Sequence, residues 1–265
     1  NGGAMVDNVL TANTAFASGV AYLNDIDGVG AGTAGVQYNG PSSSGGITFT
    51  ATSQNPPQKS GTSGNVVINN AAATKFVIVN KAVIEANDPY TAGVGFNVVI
   101  EAQDANSNLV TNYNTAGIAL DDAVAGDGNN TGISPSSITF ASGVWSGVVT
   151  VTQAVPVTLR VGQGSTLSTD QTATALVINP SSLDHFDVVV ASPQTTGSDF
   201  VAVSTVTAKD VYSNTITNFD ASTNNVTITA SNGGAMVDNV LTANTAFASG
   251  VAYLNDIDGV GAGTA

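Results

Sequence analysis

The stretch AQDANSNLVTNY, residues 102–113, has a counterpart in AKDVYSNTITNF, residues 208–219. In both, an alanine precedes a D-x-x-x-N turn, and T-N with an aromatic residue follows two residues later. Asp, Asn and Ser favour turns because their side chains bond nearby backbone groups. Elsewhere in the chain, apolar and polar residues alternate as in strands that have one buried face, most clearly at residues 47–51, 157–161 and 226–230. The stretch therefore predicts a β unit that occurs twice in the chain.

Further matches surround this pair in the same order. They are separated by 104 to 110 residues, and loops of slightly different length account for the spread. A fixed order of matches is typical of tandem repeats. The matches are PYTAGVGF with PQTTGSDF from Pro89 and Pro193, FASGV at Phe140 and Phe247, VIN at Val67 and Val177, and TKFVIV with DHFDVV from Thr74 and Asp184.

A second repeat is identical letter for letter, because residues 1–34 recur as residues 232–265 with a period of 231. We predict that residues 1–70 are the C-terminal part of a module B and that residues 71–180 are a complete module A. Residues 181–265 are then the N-terminal part of a second module B. The chain is a window of an alternating A-B-A-B array, and we expect one continuous polypeptide. The alternative is a separate subunit whose open module B is completed by the next copy.

The composition indicates strands throughout the chain. Hydrophobic residues make up 42% and charged residues only 9%, which is too apolar for a disordered chain and indicates packed cores. Thr, Val, Asn, Ser and Gly, which favour strands and turns, are abundant. All-β is therefore the expected fold class. Module A has about seven strand-like runs, a number typical of an immunoglobulin-like sandwich, and they begin near Phe76, Phe96, Leu109, Ile118, Ile138, Val157 and Ala175.

The paired P-x-T-x-G-x-x-F, A-x-D-x-x-x-N and FASGV motifs resemble bacterial immunoglobulin-like repeats. These are the Big or invasin-type modules of giant adhesins and surface-filament proteins. The resemblance implies tandem immunoglobulin-like antiparallel β-sandwich modules. It also implies an extracellular or cell-surface location in a prokaryote. The antibody-type Cys…Trp…Cys framework is absent, since the chain has no cysteine.

Charge and motif content argue against several classes of protein. The five Lys and Arg against nineteen Asp and Glu give a net charge of −14, whereas nucleic-acid binding needs basic residues. We expect no nucleic-acid partner. No apolar run has the length of a membrane span, so we expect no membrane insertion. The single histidine, His185, has no Ser or Cys partner motif, and we expect that the chain is not an enzyme.

Aspartates in several loops suggest bound calcium. Calcium takes about six to eight oxygens from carboxylates, amides and backbone carbonyls. The paired turns Asp104…Asn108 and Asp210…Asn214 also offer such oxygens. Each cluster supplies only part of a ligand set, and the alternative is that these residues form the turns themselves. No other cofactor is expected. The candidate ligands are Asp25, Asp27, Asp121, Asp122, Asp127, Asp256 and Asp258.

The leading hypothesis is a structural repeat of an extracellular filament, sheath or adhesin stalk that assembles with copies of itself. Low charge density favours lateral packing of β-sandwiches, because few charged groups have to be desolvated. The alternative is a ligand-binding adhesion module that recognises a glycan or a surface protein. A third class, an accessory domain of a secreted hydrolase, requires a catalytic domain outside this sequence.

Overall fold

The computed structural model describes residues 4–6, 9–10, 16–24, 35–41, 43–123, 132–201, 204–242 and 246–255. Within them the chain is all-β, as predicted, with twenty strands and one short helix, α1 (Lys81–Ala86). The strands are β1 (Ala4–Val6), β2 (Gln37–Asn39), β3 (Ser43–Ile47), β4 (Thr50–Thr52), β5 (Ser60–Thr62), β6 (Val66–Ile68), β7 (Lys75–Ile78), β8 (Tyr90–Thr91), β9 (Phe96–Gln103), β10 (Ile118–Asp122), β11 (Ser137–Ile138), β12 (Val144–Val149), β13 (Leu159–Val161), β14 (Asp170–Gln171), β15 (Ile178–Asn179), β16 (Leu183–Val189), β17 (Thr205–Asp210), β18 (Val226–Thr227), β19 (Val240–Leu241) and β20 (Val251–Tyr253).

The larger buried cluster, called core A, is enclosed by two antiparallel sheets. One sheet has the order β11-β10-β13-β14 and the other has the order β12-β9-β7. Strands β8 and β15 form a separate parallel pair. Both sheets contribute side chains to one core, which is the arrangement of a β-sandwich. Core A consists of Phe76, Ile78, Ile84, Ala92, Phe96, Val98, Ile100, Ala102, Ile118, Leu120, Ile133, Ile138, Phe140, Val149, Val151, Val157, Leu159, Val161, Leu176 and Ile178.

Strand β9 shows why the sequence adopts this register. Alternate residues from Phe96 to Ala102 are buried, and the residues between them are more exposed. Successive side chains of a strand point to opposite faces, so a slip of one residue would turn the whole apolar set towards solvent. In the observed register Phe96 lies opposite Val149 of β12, and Ala102 lies opposite Phe76 of β7.

Three aromatic rings connect the elements of core A. Phe76 and Phe140 stack with ring centroids 5.3 Å apart. Tyr113, the aromatic residue of the T-N-aromatic triplet, meets Phe140 edge-on at 5.4 Å. Such pairs stabilise a fold by about 0.5–1.5 kcal/mol beyond the burial of their area. The loop after β9 is therefore held against β7 by side-chain packing.

A second buried cluster, called core B, is built on the sheet β16-β17-β20 and the pair β18-β19. In β17 every second residue, from Val206 to Asp210, is buried. Phe186 and Phe247 pack around Phe219, with ring centroids 5.4 and 4.7 Å away. Core B consists of Val206, Ala208, Ile216, Phe219, Ala221, Val226, Leu241, Ala246, Phe247, Ala252 and Leu254.

The described part of residues 4–68 forms only two-stranded pairs, β1-β2, β3-β6 and β4-β5. Most side chains in these pairs are exposed. No described residue of this region belongs to core A or core B.

The structure departs from the expected strand pattern at two places. Lys81–Ala86 form helix α1, which the alternation does not predict. Val144, which FASGV suggests is a core residue, lies partly exposed opposite Glu101, whereas Trp145 packs against core A. Gly147 gives the indole room, since a Cβ there would lie 2.6 Å from the Trp145 ring.

Candidate functional site: two Asp–Asn corners

The two D-x-x-x-N turns place one aspartate each in a buried position. Asp104 is 1% exposed and Asp210 is 0% exposed. A carboxylate that leaves water is stable only when its oxygens accept hydrogen bonds. We call residues 104–108 corner A and residues 210–214 corner B.

In corner B the Asp210 carboxylate accepts four hydrogen bonds. Its Oδ1 accepts from the backbone N–H groups of Tyr212 (2.9 Å) and Asn214 (2.8 Å). Its Oδ2 accepts from Asn214 Nδ2 (2.8 Å) and from the backbone N–H of Ser181 (2.8 Å). The carboxylate therefore closes the turn and holds the chain that leads into β16.

Corner A repeats this arrangement. Asp104 Oδ1 accepts from the backbone N–H groups of Asn106 and Asn108, both at 2.9 Å. Asp104 Oδ2 accepts from Asn108 Nδ2 (3.0 Å) and from the backbone N–H of Ala71 (3.1 Å). Both corners thus bind one backbone N–H about thirty residues upstream, immediately before the first strand of their core.

The serine that precedes the asparagine has a left-handed backbone in both corners. Ser107 has a φ of 64° and Ser213 a φ of 65°. A β-branched residue would be strained in this conformation, whereas a short polar residue tolerates it better. In corner B the turn is also closed by backbone hydrogen bonds from Asp210 N–H to Asn214 O (3.0 Å) and from Ser213 N–H to Asp210 O (2.9 Å).

Hydrogen bonding keeps both buried carboxyls ionised. Burial by itself raises the pKa of Asp104 and of Asp210. The hydrogen bonds from the asparagine side chain and from three backbone N–H groups outweigh burial, and the pKa of each carboxyl lies below its usual value. Donors that bind the charged form favour it over the protonated form. The corners therefore depend on a negative charge at each aspartate.

Asn214 extends corner B to the unit that contains core A. Its Nδ2 donates to Thr152 O at 2.8 Å, and its Oδ1 accepts from the backbone N–H of Ala154 at 2.8 Å. The amide is therefore bound by both of its polar atoms to one loop, which lies between the core A residues Val151 and Val157. Two hydrogen bonds from a single planar group fix orientation as well as distance.

The link between the two cores is one proline long. Asn179 O accepts a hydrogen bond from Ala92 N–H in the unit of core A (2.8 Å). Ser181 N–H, two residues later, donates to Asp210 of corner B. Pro180 between them has its φ fixed near −65° by its ring. Little rotational freedom remains in the connection.

A close aromatic contact completes this junction. Gly93 has a φ of +78°, and a Cβ built on it would lie 2.0 Å from the Oη of Tyr212. The phenol ring of corner B therefore lies directly over the Gly93 backbone, which no other residue type allows at this distance. Asn214 and Tyr212 connect corner B to the core A unit, and Ser181 connects corner B to the linker between the two units.

Corner A also contacts residues that precede its own unit, through the side chain of its asparagine. Asn108 Nδ2 approaches Gly40 O at 3.4 Å, a longer contact than those of corner B. Ala71 is bound by Asp104 as Ser181 is bound by Asp210. Equivalent residues thus connect each unit to the one before it.

Of the candidate calcium ligands, Asp121 and Asp122 lie in the described part and point to opposite faces of β10. Asp121 is bound by the Arg160 guanidinium, with Nε–Oδ1 at 2.9 Å and Nη2–Oδ2 at 3.0 Å. Asp122 is 1% exposed, and neither of its carboxylate oxygens has a hydrogen-bond partner among the described residues. The other candidates, Asp25, Asp27, Asp127, Asp256 and Asp258, lie outside the described residues.

No group of three or more His, Asp or Glu side chains in the described ranges is arranged to hold a metal ion. Calcium binding therefore stays a prediction. The described residues also contain no helix with the length and apolar character needed to cross a membrane.

Comparisons with known proteins give a weak likeness among solved structures. No family model matches the sequence, and no curated protein matches it. Among solved structures, the chain is similar to surface layer protein SbsC, domains 1-6, with 12% sequence identity and a TM-score of 0.27. The match covers 70% of this chain and 24% of that one.

Proposed function

We propose that the chain is a structural segment of an extracellular assembly at a prokaryotic cell surface, such as a filament, a sheath or an adhesin stalk. Its role is mechanical, not catalytic, and its partners are copies of itself. The observation that supports this role is the pair of equivalent corners. In each corner the asparagine Nδ2 donates to a backbone carbonyl of the chain segment before its own unit, Gly40 O in corner A and Thr152 O in corner B.

Corner B makes a stiff connection. A flexible linker is long and rich in Gly and Ser, whereas here a single proline separates two hydrogen-bonded residues. Bending at Pro180 would break the bonds of Asn214 and lift Tyr212 from Gly93. Each hydrogen bond contributes about 0.5–1.5 kcal/mol net, and several that break together oppose bending strongly.

If a stiff junction is repeated along the sequence, the whole array of units becomes a stiff rod. The 34 residues that open the sequence recur after one period, and the corner motif occurs twice within that period. In repeat proteins each unit contacts only its neighbours, so a constant junction geometry sets the shape of the whole array. The resemblance to Big-type repeats supports an extracellular position for such a rod.

Labelling of intact cells tests the proposal. Antibodies raised against the purified chain should label the surface of unpermeabilised source cells at regular intervals in electron micrographs. External protease should remove the label. Antibodies against a cytoplasmic protein serve as the control, because they should label only permeabilised cells. Label that appears only after permeabilisation would contradict the proposal.

A further inference from the structure

The first and last segments of the core A unit lie side by side and run in the same direction. We call residues 74–92 the entry segment and residues 168–179 the exit segment. At one end a parallel bridge joins Lys75 to Ser168. At the other end β8 and β15 form their parallel pair. The chain therefore enters and leaves this unit along two parallel neighbours.

Backbone hydrogen bonds hold the two segments together at both ends. Between these ends helix α1 interrupts the entry segment. A helix uses its backbone groups internally, so ladder pairing with a neighbouring strand stops there. The backbone bonds, all of 2.8 to 2.9 Å, run from Ser168 N–H to Thr74 O, from Phe76 N–H to Ser168 O, from Tyr90 N–H to Val177 O and from Ala92 N–H to Asn179 O.

Asp170 of the exit segment continues the connection before helix α1. Its Oδ2 accepts from the backbone N–H of Ile78 at 2.7 Å. Its Oδ1 accepts from Lys81 Nζ at 2.6 Å, and both side chains of this ion pair are partly buried. Water screens a partly buried pair less than an exposed one. One carboxylate thus binds both the strand and the helix of the entry segment.

Two carboxylates of the entry segment continue the connection after Asp170. Glu85 Oε1 accepts from the backbone N–H of Ala173. Asp88 Oδ1 accepts from the backbone N–H of Val177 at 2.7 Å. These acids replace the backbone acceptors that a regular parallel strand would offer, and bonds to charged acceptors are stronger than neutral ones. The contacts follow the same order along both segments, so the parallel arrangement persists past the helix.

The contacts between the segments also connect the two sheets that enclose core A. The entry segment contributes β7 to one sheet, and the exit segment contributes β14 to the other. The exit segment is fixed in its own sheet, because Thr172 N–H donates to Leu159 O (2.9 Å) and Leu176 N–H donates to Val157 O (2.7 Å). Separating the two segments therefore opens the sandwich.

We propose that the contacts between the entry and exit segments form a shear clamp that bears tension along the chain. Tension enters the unit at the start of the entry segment and leaves it at the end of the exit segment. In a parallel pair these two points lie at opposite ends, so tension slides the segments past each other and strains every contact together. The same contacts pulled from one end would break one after another. The clamp rests on the mechanical role proposed above and names the contacts that would carry the force.

Pulling the same unit in two directions tests the clamp in the full chain. The protein has no cysteine of its own, so pairs of introduced cysteines can carry the handles for single-molecule force measurements. Ala72→Cys with Ser182→Cys pulls the segments in shear, whereas Ala72→Cys with Thr166→Cys pulls both from one end. All three positions are exposed. We expect the unit to unfold at a higher force in shear. An equal or lower force in shear overturns the proposal.

Asp88→Ala gives a second measurement in the same two directions. In shear the Asp88 contact is strained from the outset, and its loss should speed unfolding at fixed force by about tenfold, which corresponds to about 1.4 kcal/mol of barrier height. Pulled from the end at residue 166, the unit should unfold at the parental rate, because the contact lies at the far end. The unchanged rate also shows that the variant is folded.

Glu101→Ala is the matched control for Asp88→Ala. The Glu101 carboxylate accepts from Gln103 Nε2 within β9 and joins neither segment to the other. Its loss should leave the unfolding rate in shear unchanged. Parental unfolding of Asp88→Ala in shear, or equal acceleration in both directions, contradicts the clamp. Surface labelling of cells is independent of these measurements, so the clamp can fail while the proposed location stands.

Discussion

The side-chain oxygen of Asn214 accepts a hydrogen bond from the backbone N–H of Ala154 at 2.8 Å, and this contact joins two units with separate cores. The same asparagine donates to Asp210 Oδ2, which also accepts from Ser181 N–H. One continuous series of hydrogen bonds therefore runs from the loop of core A, through corner B, to the linker. A change at any member should loosen the others, because buried polar networks act cooperatively.

Asn214→Ala should increase bending between the two cores. The substitution leaves Ala154 N–H without its partner, and we expect a loss of about 1–2 kcal/mol in the free energy of unfolding. Spin labels on cysteines introduced at the exposed positions 148 and 223 would report the distance between the units. We expect a broader distance distribution for Asn214→Ala. The exposed Asn224→Ala is the control and should match the parent, and an unchanged distribution in Asn214→Ala would contradict the junction described above.

The buried aspartates should make the fold sensitive to acid. The pKa of Asp104 and of Asp210 is lowered in the folded chain, so each carboxyl binds its proton more weakly folded than unfolded. The contribution of the two ionised carboxyls to the free energy of unfolding is then complete above the unfolded pKa of about 3.9. It is lost as the pH falls through the lower folded pKa. Urea unfolding should show a stable plateau from neutral pH to about pH 5 and a decline below about pH 4.

Asp210→Asn separates this effect from general acid denaturation. The variant should be less stable at neutral pH, because a charged acceptor is replaced by a neutral amide. Its stability should also decline less steeply in acid than that of the parent. The exposed Asp199→Asn is the matched control and should keep the parental slope. An equal acid slope in Asp210→Asn and the parent would show that Asp210 does not carry the effect.

The contact between Gly93 and Tyr212 can be measured by a double-mutant cycle. Gly93→Ala adds left-handed strain of about 1–2 kcal/mol and a clash with the Tyr212 ring. Gly117→Ala adds only the strain, since Gly117 has a similar φ of +77° and nothing within 4 Å. We expect Gly93→Ala to cost more than Gly117→Ala. When Tyr212→Ala is already present, the loss in free energy of unfolding caused by Gly93→Ala should be smaller by at least about 1 kcal/mol. Additive costs in chemical unfolding would mean that the two residues do not touch.

Much of the fold follows from local sequence patterns. Phe76, Phe96 and Phe140 are buried as the alternation predicts, because one face of each strand must be apolar. Val144 is different because V-W-S-G-V-V has apolar residues on both faces, so alternation alone leaves its register open. Gly147 determines which face of the strand is buried, because it leaves space on the core side and Trp145 occupies that space.

Less of the site could be predicted from the sequence. The paired D-x-x-S-N motif identifies Asp104 and Asp210 as turn residues, and the structure confirms that role. No sequence pattern identifies the partners of Asn214, because Thr152 and Ala154 contribute only backbone groups, which every residue has. Their position depends on how two units pack, and residue spacing does not encode that packing.

Asp122 should destabilise the calcium-free protein. Its carboxylate is buried on the core face of β10, opposite Leu159, and finds no partner among the described residues. A buried polar group without a hydrogen bond costs about 1–3 kcal/mol. Asp122→Leu should therefore raise the free energy of unfolding in the presence of a chelator. Asp121→Leu is the contrasting variant, because it leaves Arg160 without its carboxylate and should lower that free energy by about 3 kcal/mol.

Calcium gives the same variant a second outcome to measure. If Asp122 is one ligand of a calcium ion, as the sequence predicts, millimolar calcium should raise the melting temperature of the parent through mass action. The rise should vanish in Asp122→Leu, because an apolar side chain offers no oxygen ligand. Thermal unfolding of both proteins, each with calcium and with chelator, gives the four values needed. An equal rise in both proteins would place any calcium site away from β10, and no rise in the parent would remove the calcium hypothesis. A lower stability of Asp122→Leu in chelator would show that the carboxylate is stabilised by a partner.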